Sequence, residues 1–400
     1  MATFTESLLG ALARIRGGTS DSGVIRLVPG WDGSVSPGPE VVAELDVTAT
    51  DWVSPIESWC RDFDLLWIQH EFGIFGPNDG VSALELCSRS PLPIAVTLHT
   101  VMAAPTSRQR RILEALSQAA EVVVVMSEQA KRRLAERFGV DRDKVQVVPH
   151  GAQFPARTRH EAVRNRQPTI VNWGLIGPGK GLETGIRAMS LLQHLEPAPR
   201  LVIRGTTHPN VKRRQGDAYR DGLLRLVEEI GLSDSVEIRD GYMTALELEA
   251  LVQSADLALL PYDTTEQVTS GVLVDAIGAG VPVVATAFPH AIELLSTGAG
   301  RVVPQRNPEA MAAAVEGLLT DPSALKMATE EARRIGHYFA WPRVALRYQQ
   351  LARRVLEKAG NEGRLTILSL LPAGRQSACT QRAPMRKNDQ RSAPGAAIDI

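Results

Sequence analysis

Two short stretches carry residues whose types and spacing suit one chemistry, the grip of a phosphate. The first, residues 174–181 (GLIGPGKG), sets four glycines and Lys180 between an apolar run and a helical pattern. Glycine lets a backbone approach an anion closely, here at Gly177 among others, and lysine adds a compact positive charge. The spacing fits neither the Walker loop, which needs Ser or Thr after the Lys, nor the G-x-G-x-x-G dinucleotide fingerprint. The second stretch, residues 256–288, reads as strand, polar loop, Thr269 or Ser270 as helix cap, apolar helix 271–279 ended by Gly280, then strand. Such a βαβ unit puts a helix start, with its unsatisfied N–H groups and positive dipole, at the sheet edge where α/β folds bind ligands. Asp275 is the only charged residue from 270 to 287. A helix apolar on all sides is buried, and a buried unpaired carboxylate is costly, so Asp275 needs a partner. Ribose hydroxyls, an arginine or backbone donors all qualify. A pyrophosphate held between the two helix starts uses both stretches at once.

Elements must bring these stretches together. The 400 residues suit two domains, and 44% hydrophobic content suits a chain with real cores. A net charge of −1 gives no pull toward nucleic acid or an anionic membrane. Cys60, Cys87 and Cys379 lack metal or redox spacing, which fits a reducing compartment. No apolar run reaches the ~18 residues of a membrane span, no signal pattern opens the chain, and a cytoplasmic protein is expected.

Residues 1–16 read as an amphipathic helix with Leu8, Leu9, Leu12 and Ile15 on one face, and no strand precedes it. Residues 17–39 read as loops around one weak strand, 24–28. Strands follow at 65–69, in PIAVTLHT, in AEVVVVMS and in VQVVPHG, with a helix 128–138 capped by Ser127. A polar linker at 153–168 separates this half from a second one. There TIVNW, RLVIRG and VEIRDGY are strands, while 182–195, 218–230, 246–254, 309–319 and 323–335 are helices. A last amphipathic helix runs from Trp341 to about Leu356. Apolar strands alternating with helices predict parallel sheets covered on both faces. Residues 361–400 read as a disordered tail apart from LTILSLL.

The motifs GLIGPGKGLE, RGTTHPNVKRRQGDAYR, LPYDTTEQVTSGVLVDAIGAGVPVVAT and HAIELL make the second half resemble family 4 of the retaining nucleotide-sugar glycosyltransferases. IQHEFGIFG, VTLHT, VVVMSE and VPHG are similar to one bacterial branch of it. The resemblance implies the α/β GT-B fold, two Rossmann-like domains facing across a cleft. Residues 1–160 would be the acceptor-side domain, its first strand apparently missing, and 165–336 the nucleotide-sugar domain. Residues 337–358 would cross back onto the first domain, and 361–400 would be the tail.

The resemblance also implies roles. Lys180 binds the donor pyrophosphate, and the N–H groups of Ser270, Gly271 and Val272 meet the distal phosphate and sugar. Asp275 stands for the glutamate that holds the ribose, and Gln267 for the one that contacts the transferred sugar. Tyr242 lies where the base packs. His99 approaches the reacting sugar and acceptor, with His70 and Glu71 on the acceptor side. The departing phosphate takes the acceptor's proton, so neither a strong protein base nor a metal cofactor is expected. Asp62 and Asp141 are read as turn and cap residues. The donor would be a UDP- or GDP-sugar, with mannose weakly preferred, and the acceptor a glycan, lipid or small molecule. Peripheral membrane contact stays open. A silent sugar-nucleotide binder or an epimerase on the same fold are the alternatives.

This chain departs from the pattern in several places. Gln267 and Asp275 replace a glutamate pair, with Glu266 one residue out of register, and Leu175 replaces a common basic residue that Arg204 or Arg213 would supply. His150 reads as support for the interdomain turn. His208 could stand behind the site or serve its own loop. Lys212, Arg213 and Arg214 read as a solvated run, and Glu293, near His290, as a complement to its own helix dipole.

Overall fold

The computed structural model describes residues 2–15, 22–28, 41–154, 166–360 and 365–372. In chain order the strands are β1 (Ser22–Val28), β2 (Val41–Asp46), β3 (Leu65–His70), β4 (Ile94–Leu98), β5 (Val122–Val125), β6 (Val145–Val147), β7 (Thr169–Trp173), β8 (Arg200–Arg204), β9 (Val236–Arg239), β10 (Leu257–Leu260), β11 (Val283–Thr286), β12 (Gly300–Val303) and β13 (Ile367–Pro372). They form two sheets, in the orders β2-β1-β13-β3-β4-β5-β6 and β12-β11-β10-β7-β8-β9. Every pairing among the described residues is parallel.

The apolar runs explain the layering. β5 is four valines, all buried, and every residue of β3 is buried as well. Alternate residues of β3 feed opposite cores, Leu66 and Ile68 on one face, Leu65 and Trp67 on the other. In the second sheet β10 does the same with Ala258 and Leu260 against Leu257 and Leu259. This is the double coverage that uninterrupted apolar strands require.

Six helices position the site: α1 (Ala2–Ile15), α2 (Glu128–Phe138), α3 (Leu182–Ser190), α4 (Gly271–Gly278), α5 (Pro289–Leu295) and α6 (Trp341–Lys358). The amphipathic reading of α1 holds for Leu8, Leu9 and Leu12, which are buried, while Ile15 is exposed. α6 lies against the first domain, its Trp341, Val344 and Tyr348 sharing a core with Phe4, Leu8 and Trp67.

One placement was not foreseen: residues 367–372, in the run excepted from the tail reading, form β13 and insert between β1 and β3. The run LTILSLL is too apolar to stay in water, and its slot lies some 300 residues away in sequence, where a local pattern cannot point. Residues 361–364 and 373–400 lie outside the described residues. β2 was also unanticipated. It is an edge strand, mostly half-buried, and VVAELD gives little contrast with the surrounding polar run.

Candidate functional site

The carboxyl edge of the second sheet gathers both phosphate-suited stretches. The 174–181 loop joins β7 to α3 and is pinned to β10's end by Asp263 N–H donating to Gly179 O at 3.1 Å. Two glycines at this edge serve close approach. A Cβ on Gly181 would meet Pro261 O at 1.9 Å, and one on Gly205, at the end of β8, would meet Gly174 O at 1.8 Å. Across the loop, a Cβ on Gly174 would lie 3.5 Å from the Val272 side chain, so the loop and the start of α4 face each other. Lys180 Nζ sits 4.1 Å above the Tyr262 ring centroid, and Tyr262 stacks on Phe288. His208 is pushed down by burial and by the charges of Lys180 and Arg213, which puts all three in one electropositive corner. Lys212, by contrast, pairs with Asp217. Gly177 lies at the back of the same loop, against Val211 and His208.

At the α4 start Ser270 is the cap, its Oγ accepting from Leu273 N–H. Its own N–H donates to His290 Nδ1 at 2.9 Å, which removes it from the set of donors assigned to a ligand. The N–H groups of Gly271 and Val272 have no hydrogen-bond partner among the described residues and remain for one. Asp275 is 8% exposed, and one carboxylate oxygen accepts Gln153 N–H at 2.8 Å. Of the three kinds of partner, the backbone donor is the one present among the described residues, where no arginine bonds Asp275. Burial raises its pKa to about 7. Gln267 is turned back on its own loop, Nε2 donating to Thr269 O. Tyr242 follows Gly241 at the end of β9 and is 66% exposed.

The facing edge, at the ends of β3 and β4, is made of side chains. His99 Nε2 is 2.9 Å from Gln69 Oε1, and its ring stands edge-on to Phe4 of α1. Burial holds its pKa well below the ordinary imidazole range, so the ring is neutral. Glu71 accepts from Thr100 Oγ1–H at 2.6 Å and from Phe72 N–H at 2.9 Å, and burial raises its pKa. His70 corrects an expectation. Its side chain is 0% exposed, stacked on Phe75 and edge-on to Phe72, with neither ring nitrogen partnered among the described residues. Burial lowers its pKa to about 3, and the ring belongs to the core rather than to the cleft. The alternation of β3 explains this: the strand stays buried to its last residue.

Two interdomain contacts escaped the sequence reading, and a third lies at His150, already placed at the interdomain turn. Glu266 accepts Ala103 N–H at 2.5 Å and pairs with Arg133 of α2 at 3.4 Å, while Arg133, 6% exposed, also donates to Val101 O and Thr265 O. Glu293 of α5 accepts the N–H groups of Glu128 and Gln129, so the helix dipole it complements is that of α2 in the other domain. His150 holds Gly151 O through Nδ1 and lies against Phe4, with Gly271 across from its ring. Arg133 and Glu266 gave no sequence signal, since charged residues on an amphipathic helix and in a polar loop are ordinarily solvated. Asp141 serves as a turn residue, accepting Asp143 N–H, and Asp62 closes a 3-10 turn.

Comparison with known proteins fits this geometry. Residues 155–335 match the family model for glycosyl transferases group 1, and residues 47–153 that for glycosyltransferase family 4. A D-inositol 3-phosphate glycosyltransferase of Nocardia farcinica is 27% identical over 220 residues, 48% of this chain and 46% of that protein. The chain thus spans about half the length of that relative. Among solved structures, sucrose-phosphate synthase from Thermosynechococcus elongatus superposes with a TM-score of 0.71 at 20% identity, covering 89% of this chain and 93% of that one. HepE of Anabaena, in complex with UDP, gives 0.65 at 14% identity, covering 82% and 99%.

Proposed function

Because the chain belongs to the group 1 glycosyltransferases of family 4, we propose that it moves a hexose, with mannose only weakly preferred among the candidates, from a UDP- or GDP-sugar to an acceptor hydroxyl with retention of anomeric configuration. The observation that carries this reading is the meeting of Lys180 and its glycine loop with the unpartnered N–H groups of Gly271 and Val272 at one sheet edge. A diphosphate leaving group gathers negative charge as the glycosidic bond breaks. Preorganised donors of this kind are worth about 2.7–4 kcal/mol each to such a transition state. A neighbour of the same fold holds UDP, which supports a nucleotide in this place.

In this scheme the ribose hydroxyls donate to the second oxygen of Asp275, and the base packs near Tyr242. Gln267 must swing from Thr269 O to reach the transferred sugar. The departing phosphate accepts the acceptor's proton, so His99, neutral and steadied by Gln69, orients hydroxyls rather than acting as a strong base. Lys180 and the helix start meet the charge, and the scheme needs no metal.

The test is a panel of UDP- and GDP-sugars followed for nucleotide release, with acceptors that include inositol 3-phosphate, the compound in the Nocardia relative's name. Turnover of one donor, with product anomer read by NMR, supports the proposal. Tight binding without turnover of any donor would favour a silent binder, for which the turned-back Gln267 is the supporting observation. Failure to bind UDP or GDP at all would end both readings.

A further inference from the structure

The two sheets share one winding, and the match shows only when β13 is counted first. In the second sheet β7 is interior, β8 and β9 extend outward on one side, and β10, β11 and β12 on the other. In the first, β13 is interior, β1 and β2 extend on one side, and β3, β4, β5 and β6 on the other. The helix between β7 and β8 is α3, which follows the Lys180 loop. The helix that stands in that place beside β13 and β1 is α1, which shares a core with Val24 and Ile367.

The docking of β13 is specific. It is in register with β1 from Ser22↔Ile367 to Leu27↔Pro372, and with β3 from Leu65↔Ile367 to Ile68↔Leu370. Leu368 and Leu370 enter one core and Ile367 the other. At its entrance Asp64 Oδ2 accepts both the N–H of Thr366 at 3.0 Å and its Oγ–H at 2.6 Å, while Thr366 O accepts from Asp64 N–H at 3.1 Å. A carboxylate that takes two donors from one residue fixes register as well as attachment. Without β13, β1 and β3 would face each other across an empty position, each with an unpaired backbone edge.

We propose that β13 is the topological first strand of the first domain, delivered from behind α6, and that its insertion sets α1, and with it the Phe4–His99 contact, at the cleft. The acceptor-side edge is then assembled from sequence-distant segments, whereas the donor-side edge is assembled from one continuous half. This inference rests on topology and stands whatever the substrate.

Amide hydrogen exchange tests it. Deleting residues 361–400 should speed exchange of the β1 and β3 amides about a hundredfold or more, while the β10 amides and UDP or GDP affinity stay as they were. Moving residues 361–400 to precede residue 1 should restore the β1 and β3 protection. Unchanged protection in the deletion overturns the proposal, and so does a relocated segment that restores nothing. Should the deletion fail to fold, Thr366→Val keeps the strand and removes one bond of the clamp. Exchange in β1 and β3 should then rise about tenfold with β10 unaffected. Equal acceleration in both sheets, or none in either, overturns the assignment.

Discussion

At the carboxyl edge of β7 and β10 the polar groups include Lys180, with His208 and Arg213 in its corner, and the N–H groups of Gly271 and Val272, which have no acceptor among the described residues. At the facing edge of β3 and β4 they are side chains whose charged forms burial disfavours: His99, its pKa held below the imidazole range, and Glu71, its pKa raised. Both edges belong to parallel sheets of the same winding, so the difference lies in what each sheet places at its end. One edge keeps a positive field for a charged ligand. The other presents hydrogen-bonding side chains, which in the proposed scheme orient a neutral hydroxyl. In the proposed scheme, a cleft that pairs them would let a phosphate bind without drawing a second anion into its facing wall.

The contrast can be broken by experiment, beginning with the largest effect. Gly205→Ala places a Cβ 1.8 Å from Gly174 O at a φ of +152°, and should cost about 3 kcal/mol or more. Denaturant titration should show that loss; a cost under about 1 kcal/mol would mean that the loop is not built on close approach.

Asp275→Asn tests whether the donor side tolerates a costly carboxylate for a ligand's sake. The folded pKa of about 7 lies above the ordinary aspartate value of 3.8, so the folded state binds more protons between these values. Stability therefore falls as pH rises through that window, and above about 7 the whole penalty is present. The asparagine variant should be more stable at pH 8 by on the order of 3 kcal/mol, yet bind UDP or GDP less well. If stability at pH 8 does not rise, the carboxylate is better solvated than its burial implies.

On the other edge, His70→Phe replaces a ring with two unpartnered nitrogens by an apolar one stacked on Phe75. A gain of about 1–3 kcal/mol is expected in thermal unfolding at neutral pH. The folded pKa of about 3 lies below 6.5, so the histidine's stability contribution is present above pH 6.5 and lost as pH falls toward 3. The variant should flatten that acid limb, and an unchanged limb would place the loss elsewhere.

Lys180→Ala should weaken UDP or GDP binding more than tenfold by calorimetry, about 1.4 kcal/mol, with little effect on stability. Unchanged affinity would remove Lys180 from the phosphate site. Smallest of all, Glu266→Ala should cost about 1 kcal/mol or less in stability, because Glu266 is only half-buried and screened, but should leave Arg133 without its ion pair. Small-angle scattering should then report a wider cleft, and an unchanged radius of gyration would deny the contact a role in closure.

Much of the donor side was legible in one dimension because its signals are local. A glycine loop with Lys180, a serine cap at Ser270 and a lone carboxylate in an apolar helix each declare themselves within a few residues. The alternation of apolar strands and amphipathic helices likewise announced parallel sheets. Three features were not legible. Ser270 N–H is taken by His290, twenty residues on; Arg133 meets Glu266 across the cleft; and β13 lies hundreds of residues from its neighbours. Each is a pairing between segments that carry no mark of one another. His70 was misjudged for a related reason, since a polar residue at a strand end reads as outward until the strand is seen to be covered to its tip.

By itself, then, the amino-acid order determined which segments become strands and helices, which residue types stand at helix starts, and which chemistry those starts favour. Such properties follow from short-range sterics, periodicity and unsatisfied backbone groups. Only the folded chain decided which donors stay available to a ligand, which histidines lose their charge, and which strand lies between β1 and β3. Those outcomes depend on burial and on competition among distant partners, and burial belongs to the assembled whole rather than to any stretch of it.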